Sequence, residues 1–546
     1  MFKKHPSGLP FLFFTEMWER FGYYLMIGIF LLYMTDTQKG GLAFDRSMGS
    51  DVYGTFIALV YLTPFIGGLV ADRLLGYRRS IILGGVLMGI GYLMLAIPNN
   101  LFSFYASLGV MILGNGFFKP NISVLLGNLY NEEQYKHLKD TGYNIFYMGI
   151  NIGALICNFF AAWLRHNIGW GAAFAAAGVG MFIGVVVFLV GMRHYAHADV
   201  RKAPVAGEAG VGQMLSSVLF PAIVAGVLGW MIPGNIFGSD STDAFLFGSI
   251  PVVGFYLWIL MKAAPEDKPR IKVLLSIYAI VIIFWAIFKQ NGTALTTWAE
   301  FYTDREMPTW MAKPAESLKM AQVVSMEEGL YPKYDEQFRT TRDSAGNVVK
   351  IATFDPYFLN VPEAKRPPDG GSVSLISTEL YQSVNPFFVV IFTPLLIGFF
   401  AWLRRRGKEP TTPAKIGWGL VISALSTLVT VWAVYAAHNG AVKASAWWLI
   451  AAYGVITVGE LCLSPMGLSM VSKMAPRHIT GLMMGGWQLA TSIGNKLSGV
   501  LASLWDQYDD KANFFWVNFA LLSGAALALF AMLRWLNRVF REKGLT

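Results

Sequence analysis

Charge is what this sequence has little of. Of 546 residues only 14% are Asp, Glu, Lys or Arg, against about a quarter in a soluble chain. A solvated globular surface cannot be built from that composition, which disfavours soluble enzymes and nucleic-acid binders. Cysteine is nearly absent: Cys157 and Cys462 both fall inside apolar runs, which leaves no disulfide framework. The seven histidines sit at segment ends or in loops, without metal-ligand spacing. No nucleophile stands beside a base within an apolar run, so neither a membrane-embedded enzyme nor a metal or organic cofactor is expected.

Apolar residues take the place of charge. The AVILMFWYC set makes up 55% of the chain, mean hydropathy is +0.47, and the basic residues behind the net charge of +9 punctuate the apolar runs. Runs of about 20 residues are long enough to cross a bilayer. They lie near 10–34, 51–74, 79–98, 102–126, 141–163 and 171–193, then 213–233 and 243–262, then 269–302, 375–403, 414–437, 445–474, 479–506 and 512–537. The basic N-terminus followed by an apolar run resembles a secretory signal. That run continues to Met34 and contains Glu16, Glu19 and Arg20, so it is expected to be a retained first membrane helix.

Loop charge sets the expected orientation. With the N-terminus in the cytoplasm, the inside segments hold Lys3, Lys4, Arg73, Arg78, Arg79, Lys136, Lys139, the stretches Arg193 to Lys202, Lys262 to Lys272 and Arg404 to Lys415, Lys473, Arg477, and Arg534 to Lys543. The short outside loops hold only Lys39, Arg46, Arg165, Lys443 and Lys511. Both termini are therefore expected inside, in the cell (inner or plasma) membrane.

The expected architecture is an all-α polytopic membrane protein of 14 helices: a six-helix bundle over 1–193, a linker over 194–268 with two additional helices, and a second six-helix bundle over 269–541. A polar segment, 303–374, interrupts the second bundle on the outside. It is expected to be a surface insertion, with a hairpin around Asp343-Ser344-Ala345-Gly346-Asn347. Two six-helix halves with both ends inside form the layout of major facilitator transporters, whose halves rock about a central site. The junction Gly67-Gly68-Leu69-Val70-Ala71-Asp72-Arg73-Leu74-Leu75-Gly76-Tyr77-Arg78-Arg79 resembles the loop motif of that superfamily. There Gly76 permits a tight turn and Asp72 is a gating residue that meets a helix N-terminus or an arginine.

Ionisable residues inside apolar runs are costly, and each is a functional candidate. Glu16, Glu19 and Arg20 stand at i, i+3 and i+4 on one helix face. One arginine cannot neutralise both carboxylates, which leaves one able to take up a proton. Lys119, in Phe117-Phe118-Lys119-Pro120, is a cation for a substrate carboxylate or a first-helix Glu, unless it snorkels to the headgroups. Glu460 precedes Ser464 and Pro465 by about one turn and suits a cation or an ammonium group. Lys289 is a further lysine deep in a run, and Lys496 is a weaker case that is equally structural. Tyr23, Tyr24, Tyr61, Tyr147, Asn151, Trp285, Asn385 and Trp487 are candidates for the cavity walls.

Three motifs carry a resemblance to a known family. Glu16-Met17-Trp18-Glu19-Arg20-Phe21 fits the ExxERF motif of the proton-dependent oligopeptide transporters, Phe146-Tyr147-Met148-Gly149-Ile150-Asn151-Ile152-Gly153-Ala154 fits their fifth-helix signature, and Gln382-Ser383-Val384-Asn385-Pro386 fits helix eight. The resemblance implies a proton-coupled symporter that imports di- and tripeptides by alternating access, functional as a monomer. By the same resemblance Glu16, Glu19, Arg20 and Lys119 would handle the proton. Lys119 and Arg20 would receive the peptide C-terminus and Glu460 its N-terminus, with the aromatic and amide residues lining the pocket. Arg46 and Glu300 would form an outside gate pair. Many relatives carry a glutamate where Lys289 stands. Lys289 could then titrate, anchor substrate carboxylates, or pair with a carboxylate, and the last is favoured. A proton-coupled carrier of another small solute, nitrate or a modified amino acid, is the alternative on the same fold. The complete ExxER and Glu460 argue for an ammonium-bearing substrate. A channel would lack stoichiometric coupling.

Overall fold

Within hydrocarbon every backbone N–H and C=O needs an internal partner, and the apolar runs meet that demand as helices. The structure, a computed structural model, describes residues 4–98, 100–135, 138–200, 215–476 and 479–542, apart from the side chains of 65, 69, 72, 73, 140, 215 and 481. Asp72 therefore has a described backbone but a side chain outside the described set. Lys3, Lys136, Lys202, Arg477 and Lys543 lie outside it altogether.

The first group of long helices is α1 (Leu9–Thr35), α2 (Arg46–Val70), α3 (Tyr77–Leu95), α4 (Leu101–Leu129), α5 (Lys139–Asn167) and α6 (Trp170–Gly191). Then come α7 (Phe220–Trp230) and α8 (Asp240–Lys262). The rest are α9 (Lys268–Phe288), α10 (Val384–Arg405), α11 (Thr412–Ala436), α12 (Ala446–Met474), α13 (Thr480–Ser503) and α14 (Lys511–Glu542). Among the described residues 11 helical segments are long and apolar enough to cross a membrane. The other three long helices fall short for visible reasons: α1 carries Glu16, Glu19 and Arg20, α13 is rich in Gly and Ser, and α7 is short. Large apolar side chains stay exposed along α7, α8 and α10, among them Phe220, Leu228, Trp258, Met261, Leu395 and Phe399. Patches of that extent suit lipid and not water, and this is a multi-pass membrane protein.

One apolar core is drawn from residues between Leu9 and Ala198, and a second from residues between Tyr256 and Phe540. Helices α1, α5 and α6 pack together in the first core and α11, α12 and α14 in the second, while α2 lies against α13 and joins the two sets. That crossing is tight because it is made of glycine. A Cβ on Gly54 would stand 2.7 Å from the Cα of Gly499. The turn expected at Gly76 is present, with φ +79°. Beside it, Asp199 accepts from the backbone N–H groups of Tyr77 (2.8 Å) and Arg78 (3.4 Å) and pairs with the Arg78 guanidinium (2.8 Å). An anion at the start of α3 meets the positive end of the helix dipole.

The run expected as one helix over 269–302 is broken. After α9 the chain passes through a 3₁₀ turn (Lys289–Gly292), a short helix (Ala294–Thr297) and a π turn (Trp298–Tyr302). Thr293 leaves helical geometry at φ −128°, ψ −92°. The run before α10 likewise begins as a 3₁₀ segment, Thr378–Ser383.

The 303–374 segment is folded and docked. β1 (Thr303–Asp304) runs parallel to β6 (Ala444–Ser445), β2 (Gln322–Ser325) pairs antiparallel with β5 (Ser372–Leu375), and β3 (Gly329–Pro332) pairs antiparallel with β4 (Lys350–Thr353). The expected hairpin is there: Asp343 and Asn347 close its turn through Asp343 N–H to Asn347 C=O at 2.9 Å. Val324, Met326, Tyr357, Phe358 and Leu375 form a small core of their own. Arg342 pairs with Asp45 at 2.8 Å and Phe338 is buried against Phe301 and Tyr302, so the segment packs on the bundle ends.

Candidate functional site

The 3.6-residue period places Glu16, Glu19 and Arg20 on the inward face of α1, and all three are buried. Arg20 Nε is 3.1 Å from Glu16 Oε1, and the same nitrogen is ion-paired with Glu19. Glu16 Oε2 and Glu19 Oε1 have no hydrogen-bond partner among the described residues. Two carboxylates thus share one guanidinium, and the Arg20 guanidinium also lies 5.4 Å from the Tyr23 ring centre.

Next to this triad the lysines of α4 and of the α9 end converge on one phenol. Lys119 Nζ lies 3.8 Å from the centre of the Tyr61 ring, and Lys289 Nζ lies 5.4 Å from it. Lys289 is further flanked by Trp285 at 5.5 Å and Phe288 at 5.7 Å. No carboxylate stands within ion-pair distance of Lys289 among the described residues. The favoured pairing of Lys289 with a carboxylate is therefore replaced by an aromatic cradle, because Tyr61, Trp285 and Phe288 present ring faces where a carboxylate would have to stand.

In the second bundle Asn385 of α10 donates to Glu460 Oε2 (3.0 Å) and to Thr457 Oγ1 (2.9 Å), both on α12. The Asn385 amide fixes the carboxylate orientation while leaving the other oxygen open. Pro465 sits inside the continuous α12 and supplies no N–H, and nearby Ser464 Oγ has no partner among the described residues. Tyr24, Tyr61, Lys119, Lys289, Asn385 and Glu460 are all half-buried, whereas the α1 triad is closed off.

Other candidates take different places. Tyr147 is exposed, Asn151 donates to the Tyr147 carbonyl at 2.9 Å within its own helix, and Tyr23 is buried edge-on to Tyr24. Trp285 is buried, and its indole N–H has no partner among the described residues. Trp487 packs in the second core, edge-on to Tyr278 and closed against Gly467, which sets it among packing residues.

The Arg46 to Glu300 gate pair is corrected by the geometry. Arg46 Nη1 reaches Asp506 Oδ1 at 2.5 Å and Nη2 donates to the Phe338 carbonyl at 2.7 Å. Glu300 is instead hydrogen-bonded by Thr378 and lies 3.7 Å from Arg305. The π turn at Trp298–Tyr302 places Glu300 by these partners, while the 3₁₀ turn after α13 presents Asp506 to Arg46.

The PTR2 model, described as the POT family, matches residues 78–326 and 371–517. The chain belongs to the POT family. Its relatives include the "Uncharacterized transporter YclF" of Bacillus subtilis, 29% identical over 93% of this chain and 90% of that protein. A "Di-/tripeptide transporter" of Lactococcus lactis is 29% identical over 91% of this chain and 89% of its own. Among solved structures, a peptide transporter POT in complex with sulfate superposes with a TM-score of 0.77 at 26% identity, covering 99% of this chain and 96% of that one. A mutant peptide transporter POT in complex with alafosfalin gives 0.76 at 26% identity, with the same coverage. The fold of this POT family member is accordingly that of the major facilitators.

Three buried charge clusters join partners that this POT chain's sequence does not pair, although Lys496 itself stands out in its apolar run. Arg165 at the end of α5 pairs with Glu379 at 3.2 Å, and Glu379 is 0% exposed. Lys496 of α13, also 0% exposed, contacts Asp51 at 2.6 Å, Thr55 at 2.6 Å and Ser241 at 3.0 Å. Asp51 also accepts from Thr242 at 3.0 Å, so the start of α8 joins α2 and α13 in one cluster. Arg305 donates to the Ile376 carbonyl at 2.9 Å and to Gln322 at 3.0 Å. Arg165 lies just beyond the apolar run 141–163 and Asp51 opens the run 51–74, so neither interrupts an apolar run.

Proposed function

We propose that this protein is a proton-coupled symporter that imports di- and tripeptides by alternating access, and that it catalyses no chemical conversion. The reading rests on half-buried charge of both signs drawn from the two bundles: Lys119 and Lys289 around Tyr61, and the Asn385-held Glu460. A peptide backbone is a zwitterion, and its carboxylate and ammonium fit those two poles. Side chains would project into the remaining space, which accounts for breadth of selection. The relative from Lactococcus lactis named a di-/tripeptide transporter supports the same substrate class.

In this proposal the α1 triad handles the coupling proton. Two carboxylates and one guanidinium leave one uncompensated negative charge, which a proton would cancel, and Lys119 stands beside it. The bundles 1–193 and 269–541 would rock about the site, with 14 spanning helices in all once α1, α7 and α13 are counted, the chain acting as a monomer and both termini cytoplasmic in the cell membrane. Gating would fall to Arg46 with Asp506, to Glu300 with Arg305, and to the Asp72 turn.

Uptake into proteoliposomes tests the reading. With an inside-alkaline gradient, labelled dialanine should accumulate above its outside concentration. Accumulation should be lost with a protonophore and in Glu19→Gln, and strongly reduced in Glu460→Gln. Uptake of nitrate or free alanine without dialanine would replace the peptide with another solute on the same fold.

A further inference from the structure

Between the 303–374 segment and the bundle ends lies a cavity of about 860 Å³. The loop and helix start from Asp36 to Ser47 form one wall, Tyr334 to Arg342 and Asp355 to Tyr357 form another, and Thr296, Glu300, Ser503 and Asp506 come from the helices beneath. Its volume is within the range of small-molecule pockets. Most of its charges are already committed: Arg46 to Asp506, Arg342 to Asp45, Arg339 to Asp335, Arg305 to Glu300 and Arg165 to Glu379.

Two lining charges of opposite sign are not committed. The Asp36 carboxylate that stands nearest Lys39 in sequence is turned to the N–H groups of Gln38, Lys39 and Gly41 and to the Trp170 indole, and no described carboxylate forms an ion pair with the Lys39 ammonium. Asp355 accepts one hydrogen bond through Oδ1, from the Tyr357 N–H at 2.9 Å, and no described cation pairs with it. Burial first, then the Glu300 charge, hold the Asp355 carboxyl above its ordinary range, and the Lys39 charge is near enough to pull the other way. A half-buried carboxyl with no described cation in ion-pair contact gains from an ammonium that enters.

We propose that this antechamber is a second substrate site, which binds a small zwitterionic peptide with its carboxylate on Lys39 and its ammonium on Asp355, outside the closed face of the bundles. The proposal rests on the peptide reading of the central site and adds a site that the 303–374 segment completes. Its roof residues Asp355 and Tyr357 belong to that segment, so the segment has a binding function beyond covering the mouth.

Photo-crosslinking tests it on the full chain in proteoliposomes, with a diazirine-bearing dipeptide as probe and adducts mapped by mass. Adducts are expected within 334–357 as well as on the central-site helices. Lys39→Gln combined with Asp355→Asn should lower the 334–357 adduct about tenfold, as loss of charge-assisted hydrogen bonds implies, and leave the central adduct in place. In the unaltered protein, excess dialanine should displace the outer adduct, and acetyl-alanine methylamide, which lacks both charges, should not. No adduct on 334–357, an outer adduct that survives the double substitution, or equal displacement by the blocked peptide would each overturn the site. The two readings fail separately. Absence of dialanine uptake and of the central adduct counts against the peptide transport reading, whereas the outer adduct is still scored by its dependence on Lys39 and Asp355.

Discussion

At Lys289 the chain keeps two ammonium groups around one phenol ring, an arrangement that costs Coulomb energy unless the aromatic faces and a half-open space offset it. Removing one of these two cations leaves the surroundings of Tyr61 and Lys119 less positive, which favours uptake of a proton by the site as a whole. Lys289→Ala should therefore move the pH midpoint of uptake upward by about one unit, and Lys289→Glu further still. Identical pH profiles for the parent and both variants would place Lys289 outside the coupling. The intramembrane charges were legible from sequence because each interrupts an apolar run. Their partners were not, since Tyr61, Trp285 and Phe288 differ in no local pattern from packing aromatics. One titrating residue lies outside the spans. Burial, then the Arg305 charge, bring the Lys443 ammonium down to about 7, while its Nζ donates to the Phe301 carbonyl at 3.0 Å and the carboxylates of Glu300, Asp304 and Asp355 act in the opposite direction. Above pH 7 the unfolded chain holds a proton that the folded one has released, so stability should rise from about pH 7 to about pH 10.5. Thermal unfolding across that window should show the rise, and Lys443→Met should flatten it.

Helices were legible as elements, because length and apolarity decide them; where they break was not. The end of α9 and the 3₁₀ segment before α10 both read as uninterrupted runs, yet these irregular turns carry Lys289, Glu300 and Glu379. Irregular backbone at membrane depth survives where protein or a polar cavity covers it, which hydropathy does not record. The contact of α2, α8 and α13 shows what such elements hold. Lys496 is wholly buried against Asp51, and removing one member of a buried pair leaves an uncompensated charge. Lys496→Met should destabilise the protein by about 3–5 kcal/mol, and adding Asp51→Leu should recover most of that loss. Melting temperatures of the two singles and the double decide it. A double no better than the single would mean that Ser241, Thr242 and Thr55, and not the charge pair, carry the junction.

For the molecule as a whole, the described ion pairs between residues 1–193 and 269–541 all lie toward the face that bears the 303–374 segment: Arg46 with Asp506, Asp51 with Lys496, Arg165 with Glu379, and Arg342 with Asp45. The Gly54 to Gly499 contact lies in the same region, so this face is shut. A state closed here by several charge pairs is favoured over an opened one only by what those pairs contribute differentially. Arg165 to Glu379 is the member whose loss should disturb the central site least, since neither residue touches Lys119, Lys289 or Glu460. Glu379→Gln keeps the shape and removes the charge, and a loss of about 1–3 kcal/mol of closed-state preference would move the closed-to-open ratio about 5- to 150-fold. With Cys157 and Cys462 replaced by serine, spin labels at Leu101→Cys and Ala441→Cys sit on the two bundles at this face. The distance distribution between them should gain a longer component in Glu379→Gln and lose it when dialanine and a low outside pH restore closure. A distribution unchanged by Glu379→Gln would assign closure to Arg46 with Asp506 and Asp51 with Lys496, and leave Arg165 to Glu379 as a local tie between α5 and the 3₁₀ segment before α10.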